Sequence, residues 1–190
     1  MPILFQTGYL TIKGYNKRRR LYDLHYPNYE VENAFSEYLL SSFGYLQKGE
    51  SDPYLWQLVD ALTEEDFDEF FRVLGVFFAK IPYEMHLKYE AYYQTILYLV
   101  FKQVGLKVQV EQQTNRGRID TVVQLETRII IFEFKLDGNA EEALKQIKEK
   151  GYAERYRLSG KEIILVGVNF DTKVRGVEAW KVMRDEASGR

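Results

Sequence analysis

Arg128-Ile-Ile-Ile-Phe-Glu-Phe-Lys135 is the stretch whose reading decides the fold. It is apolar until it ends in a carboxylate and an ammonium two residues apart. In a strand, residues i and i+2 point to the same face, so Glu133 and Lys135 project together beside a buried sheet. Charges are costly there unless they are paired or hold a cation. Working upstream, Glu126-Thr127 is a tight connection, which makes about 118–125 the antiparallel partner strand, with Asp120 placed just after Gly117-Arg118-Ile119. A strand over about 106–113 comes before it. A helix over about 83–104 comes before that, apolar at Leu87, Ala91, Ile96, Leu97, Val100 and Phe101 and stopped at Gly105. Downstream, the pattern predicts a helix over about 139–157. Glu162-Ile-Ile-Leu-Val-Gly-Val-Asn169 is almost wholly apolar, as a central buried strand is. The order is α-β-β-β-α-β.

The first half reads differently. Tyr9–Lys13 and Leu21–Tyr26 alternate apolar and polar residues around the polar turn Gly14–Arg20, which predicts a hairpin. Asn28 suits the N-cap of a helix over about 29–43, apolar at Val31, Phe35, Tyr38, Leu39 and Phe43, and a short helix over about 53–61 follows. Thr63-Glu-Glu-Asp66 resembles a capping box opening a helix. That helix carries the broad stripe Phe67, Phe70, Phe71, Leu74, Phe77, Phe78 and Ile81, which reads as a packed face rather than a base-stacking surface. Pro82 is the expected boundary between a hairpin-and-helical region, 1–81, and a second domain, 82–190.

Composition narrows the chemistry. The chain has 190 residues, 46% hydrophobic and 28% charged, an ordinary globular balance. No Cys is present, which excludes thiol catalysis, disulfides and thiolate-bound zinc. With only His25 and His86 available, any metal site must be built from oxygen ligands, which favours Mg²⁺, Mn²⁺ or Ca²⁺. No apolar stretch is long enough to span a membrane and no signal peptide is visible, so a cytoplasmic location is the expectation. The net charge of −2 is not that of a strong general nucleic-acid binder, so any such binding must be local.

Asp120, Glu133 and Lys135 in this element order resemble the PD-(D/E)XK nuclease superfamily. Its first-motif Asp matches Asp120 and its Glu-x-Lys matches Glu133 and Lys135; the proline expected before the Asp is replaced by Ile119. Tyr89–Tyr93, Gly117–Asp120, Phe132–Lys135 and Ala140–Tyr152 are similar to one branch, the nuclease-like C-terminal domains of bacterial AAA-ATPase-like proteins of Bacteroidetes and Firmicutes. Phe5–Lys13 resembles the junction that follows the ATPase domain there. The resemblance implies an α/β (α+β) fold with a restriction-endonuclease-like αβββαβ core, a mixed central sheet flanked by helices. It also implies an upstream ATPase domain. The chain has no G-x-x-x-x-G-K-[ST], so it is expected to be the C-terminal piece of a longer protein or a stand-alone member, and nucleotide hydrolysis is not expected of it.

The implied activity is metal-dependent phosphodiester hydrolysis of a nucleic acid, DNA first, with Mg²⁺ or Mn²⁺ as cofactor. Asp120, Glu133 and the Phe134 backbone carbonyl are the implied ligands. Lys135 orients or deprotonates water, and Glu90 reaches the metal directly or through water. Gln146 stands where other branches place a catalytic Gln followed by a Tyr four residues later; here that position is Lys150, and the tyrosines fall at 152 and 156. Phosphate contacts are expected from Arg116, Arg118, Lys145, Lys150 and Tyr152, with Lys148, Arg155 and Arg157 adding to a basic helix face. Against these stand a cross-strand salt bridge at Lys135, an exposed Glu90, a solvated helix face and a pairing of Arg116 or Arg118 with Glu111. Arg18–Arg20 form a hairpin-tip cluster, more often solvated than binding. The alternative function is a catalytically silent module that binds nucleic acid or couples to the ATPase. A homodimer is admitted among its assemblies.

Overall fold

The computed structural model describes residues 3–44, 52–81, 84, 89–114 and 117–185. The expected boundary at Pro82, and Leu87, His86 and Arg116, lie outside them, as do the side chains of Phe43 and Glu111. A short helix α1 (Ile3–Gln6), which the sequence did not announce, leads into the hairpin β1 (Thr11–Asn16) and β2 (Leu21–His25). Asn28 Oδ1 accepts the Val31 amide at 2.9 Å and so starts α2 (Tyr29–Gly44) as a cap should.

The next helices depart from expectation by a few residues. Helix α3 runs Asp52–Glu64 and contains Thr63, whose hydroxyl donates to the Val59 carbonyl at 2.8 Å. The true cap is Asp66, which accepts the Glu69 amide at 2.9 Å and opens α4 (Phe67–Ala79). Asp66-x-x-Glu69 has the same spacing as the box expected at Thr63, shifted three residues, because Thr63 is still satisfied inside its own helix. Helix α5 spans Glu90–Gln103 with Tyr89 as N-cap.

Five strands form one sheet in the order β3 (Lys107–Thr114), β4 (Gly117–Gln124), β5 (Arg128–Leu136), β6 (Glu162–Asp171), β7 (Gly176–Arg184). Only β5 and β6 pair in parallel; the other neighbours are antiparallel. Strand β7 was unforeseen: it is an edge strand whose second half is exposed, so it lacks the apolar run that marks β5 and β6. The phenylalanine stripe of α4 packs, with α5, onto one face of the sheet, where Phe70, Phe101 and Phe132 meet and Phe71 stacks on Trp180 at 4.7 Å.

The other face is covered by α6 (Ala140–Glu149) and a 3-10 helix (Tyr152–Ser159). The single helix expected over 139–157 is therefore two. Gly151 between them sits at φ 61°, the left-handed conformation that glycine reaches without steric cost and that an α-helix cannot continue through. Among the described residues no helix is long and apolar enough to cross a membrane.

Candidate active site

The pairing of β4 with β5 covers only Thr121–Gln124 against Ile129–Phe132. Upstream of Thr121 the strands part, and the Phe134 amide finds a side chain instead of a backbone: Asp120 Oδ2 accepts it at 2.9 Å. This ties the Asp of one strand to the middle of Glu133-Phe134-Lys135 on the next. Phe134 points to the phenylalanine-rich face, and Glu133 to the face beneath α6, as the two-residue period requires.

Glu133 is 2% exposed. Its Oε1 accepts a hydrogen bond from Gln146 Nε2, and Gln146 Oε1 accepts one from Lys135 Nζ at 2.7 Å. Gln146 thus bridges the acid and the base of the Glu-x-Lys pair, so Lys135 is not spent in a direct salt bridge with Glu133. The other carboxylate oxygen, Glu133 Oε2, is buried with no hydrogen-bond partner. Burial, then the charge of Asp120, pushes the Glu133 carboxyl up to about 8 against the opposing pull of Lys135. Glu90, at the start of α5, is half-buried; burial and then Asp120 raise its carboxyl too, while Lys135 and Arg118 oppose. Gln94 Nε2 donates to Glu90 Oε1 at 3.0 Å. Asp120 and Lys135 both act on Glu90 and on Glu133, and Glu90 acts on Glu133, which places all four in one cluster at the C-terminal end of β5.

A gap in β6 lets the helix come this close. Gly167 pairs with Glu133 across the sheet, and a Cβ there would stand 2.3 Å from the Ala140 carbonyl oxygen and 2.6 Å from the Leu144 amide. Helix α6 lies directly on that bare backbone, which brings Gln146 over Glu133 and Lys135. Asn169, 1% exposed and paired with Lys135 in register, holds the turn that follows: its Oδ1 accepts the Gly138 amide at 2.8 Å and its Nδ2 donates to Glu178 at 2.6 Å. Neither residue was singled out from the sequence. The only trace there was a polar Asn closing an apolar run and a Gly inside one.

The expected phosphate-binding residues scatter. Arg118 is exposed at the start of β4 and close enough to act on Glu90. Lys145 is exposed and 3.5 Å from Glu149; Lys150 is exposed at the end of α6. Arg155 and Arg157 belong to the 3-10 helix, and Arg157 pairs with Asp185 at 3.2 Å, so the expected basic face is broken at Gly151. Tyr152 is 2% exposed and its hydroxyl donates to the Arg118 carbonyl at 2.7 Å. It fastens the start of β4 from inside instead of presenting a ring to a ligand.

An oxygen-only donor set with an orphaned, buried carboxylate oxygen fits a small hard cation. Among the described residues no three His, Cys, Asp or Glu side chains already converge closely enough to hold an ion. Mg²⁺ does not require that, since it usually keeps several waters and takes one or two carboxylates.

Residues 88–180, from just before α5 into β7, match the sequence model of the PD-(D/E)XK nuclease superfamily. The five-stranded mixed sheet with its flanking helices is consistent with the restriction-endonuclease-like fold of that superfamily. The chain is also similar to an uncharacterised protein from the vnfD 5′ region of Azotobacter chroococcum mcd 1, 37% identical over 190 residues, which cover 95% of this chain and 36% of that protein. The chain thus spans about a third of the length of that curated relative.

Proposed function

We propose that the chain is a metal-dependent nuclease that hydrolyses phosphodiester bonds of nucleic acid, DNA first among its substrates. The observation that carries this is the buried, partnerless Glu133 Oε2 within a cluster of three carboxylates beside a lysine. An unsatisfied buried oxygen costs about 1–3 kcal/mol, and a cation bound there would offset that cost. The match of residues 88–180 to the superfamily supports the same reading.

Asp120, Glu133 and the Phe134 carbonyl would hold Mg²⁺ or Mn²⁺, with Glu90 beside them. Such a cation acidifies water and neutralises charge on the phosphate. The chain's own groups do the rest. Asp120 is held in place by the Phe134 amide. Gln146 fixes the Lys135 ammonium, which orients the attacking water and faces the charge that grows on the phosphate. Glu90, with its raised affinity for protons, takes up or releases one at the edge of the cluster. Arg118, Lys145 and Lys150 are the proposed contacts to the polymer backbone.

Residues 82–190 carry this site, and 1–81 would join it to an upstream AAA-ATPase-like domain; the partial coverage of the longer relative leaves room for one. The alternative, a catalytically silent binding or coupling module, draws on the acidic balance of the chain and, among the described residues, the lack of three converged ligands.

The test is incubation with labelled linear, circular, branched and single-stranded DNA, with Mn²⁺ or Mg²⁺, beside Asp120→Ala and Lys135→Ala. Cleavage that needs metal and disappears in both variants is the expected result. Metal-independent cleavage, or cleavage that survives in both variants, would overturn the assignment.

A further inference from the structure

The β1–β2 hairpin stands apart from the chain's acidic balance. Between Thr11 and His25 lie Lys13, Lys17, Arg18, Arg19 and Arg20 against one acid, Asp23, a net +4 within a chain of net −2. None of the five cations has an ion-pair partner among the described residues. The two strands are exposed along nearly their whole length. At the base, Tyr9 and Tyr26 hold the ring of Phe35 from α2, at 5.5 and 6.0 Å. Beyond that anchor the hairpin projects as an arm.

On the arm, Tyr15 and Tyr22 face each other across the strands, rings 4.7 Å apart, and remain 48% and 57% exposed. Two large planar rings left open on a hairpin whose turn carries three arginines offer a flat surface to a planar ligand. The turn carries a second anomaly. Arg20 occupies φ 53°, where glycine or asparagine is the unstrained choice. An arginine kept there adds charge at the expense of backbone ease.

We propose that this hairpin is a nucleic-acid-binding arm, in which Tyr15 and Tyr22 form a stacking platform for unpaired bases and Arg18, Arg19 and Arg20 neutralise the phosphates that flank them. Charge complementarity selects a polyanion, and the open ring pair selects one with planar bases, as in proteins that bind single strands without reading sequence. The inference rests on nucleic acid being the ligand of this chain, as proposed above, but not on its being cut.

Fluorescence anisotropy of labelled oligonucleotides, single-stranded and duplex, in EDTA and across a salt series, tests it without catalysis. Replacing Arg18, Arg19 and Arg20 together by Ala should weaken binding to both forms by ~10-fold or more at low salt and make the salt dependence shallower by about two in log–log slope. Tyr15→Ala with Tyr22→Ala should weaken single-strand binding by ~10-fold or more and leave duplex binding nearly unchanged, while Tyr15→Phe with Tyr22→Phe retains the parent affinity. Arg20→Gly relieves the turn, so the hairpin folds at least as well, yet it should still lower affinity several-fold.

Parental affinity in the triple-arginine variant or in Arg20→Gly overturns the proposal. So does unaltered single-strand binding in the tyrosine-to-alanine variant with heparin competing as well as oligonucleotide, which marks a generic polyanion or acidic-protein surface. A chain that binds through the arm but cuts nothing sinks the nuclease reading alone. A chain that cuts at parental kcat/KM without the arginines sinks the arm alone.

Discussion

The parallel strands β5 and β6 carry charge at both ends, and the two ends are built on opposite plans. At their N-terminal end Arg128 and Glu162 face each other in register, joined by Glu65 and Arg184. Arg128 meets Glu65 at 2.6 Å and Glu162 at 3.7 Å, Arg184 meets Glu162 at 3.2 Å and also Glu65, and Arg128 donates to the Thr63 carbonyl at 2.5 Å. Two cations and two anions close on one another, and the cluster ties α3, β5, β6 and β7 together. At the C-terminal end Glu90, Asp120 and Glu133 face Lys135, with Arg118 near, and one buried oxygen is left over. At the first end the charges balance two against two, although Arg128 Nε is itself buried without a hydrogen bond. At the second the acids outnumber the lysine, an excess of negative charge that a bound cation would offset.

Asp120→Asn gives the sharpest contrast. It keeps the acceptor for the Phe134 amide but removes a charge from beside Glu133, so cleavage should fall by ~10³-fold or more while stability above neutral pH rises. Cleavage assays beside denaturant unfolding read both; a loss of activity accompanied by lost stability would place Asp120 with the structural residues instead.

The titration of Glu133 separates the ends next. Its carboxyl is raised from 4.5 to about 8 in the folded chain, so its contribution to stability is fully present below about 4.5 and is lost as pH rises through 8. Without metal, stability should decline across that window, by at most ~5 kcal/mol on a linkage of about 1.4 kcal/mol per unit. Glu133→Gln should flatten the decline, and Mg²⁺ or Mn²⁺ should oppose it by favouring the ionised carboxylate. Urea unfolding from pH 5 to 9, with and without metal, gives the slope; a curve that rises across this range contradicts the assignment.

Gly167→Ala probes the geometry at the site end. The added methyl must push α6 off β6, at a cost of about 1–3 kcal/mol, and Gln146 should lose its bridge to Glu133 and Lys135. Activity should drop more than the loss of folded protein explains, which active-site titration against folded fraction by circular dichroism will show.

Arg128→Ala should have the smallest effect and only on the other end: about 1–2 kcal/mol from losing one of the two cations on Glu65 and Glu162, which keep Arg184, and from unpairing the Thr63 carbonyl, with cleavage per folded molecule unchanged. A fall in turnover would mean the two ends communicate through β5.

Much of this was legible before folding. The apolar runs of β5 and β6, the tight Glu126-Thr127 connection and the Asn28 cap all appear where the pattern put them, because each is a local property of side-chain period or turn chemistry. Glu133 and Lys135 were visible as charges ending an apolar run and Asp120 as a charge on the strand before it, while Gln146 came only from the family resemblance. The capping box slipped by three residues because Thr63 and Asp66 are both capping types, and Thr63 is satisfied by the Val59 carbonyl inside its own helix. Strand β7 was invisible because an edge strand buries too little to need an apolar run.

The sequence by itself determined the α-β-β-β-α-β order of the second half and which residue types could hold a hard cation, since periodicity, the lack of cysteine and the scarcity of histidine act through composition and local geometry alone. Tertiary structure decided which of those residues meet. Only strand register sets Gly167 beside Glu133 and Arg128 beside Glu162, and only the break at Gly151 separates Lys150 from the arginines that follow. Likewise, the burial that lifts the Glu133 carboxyl and encloses Tyr152 comes from α6 and the 3-10 helix lying across the sheet. These are contacts between residues distant in sequence, fixed by packing and by the desolvation it brings, and a one-dimensional pattern does not contain them.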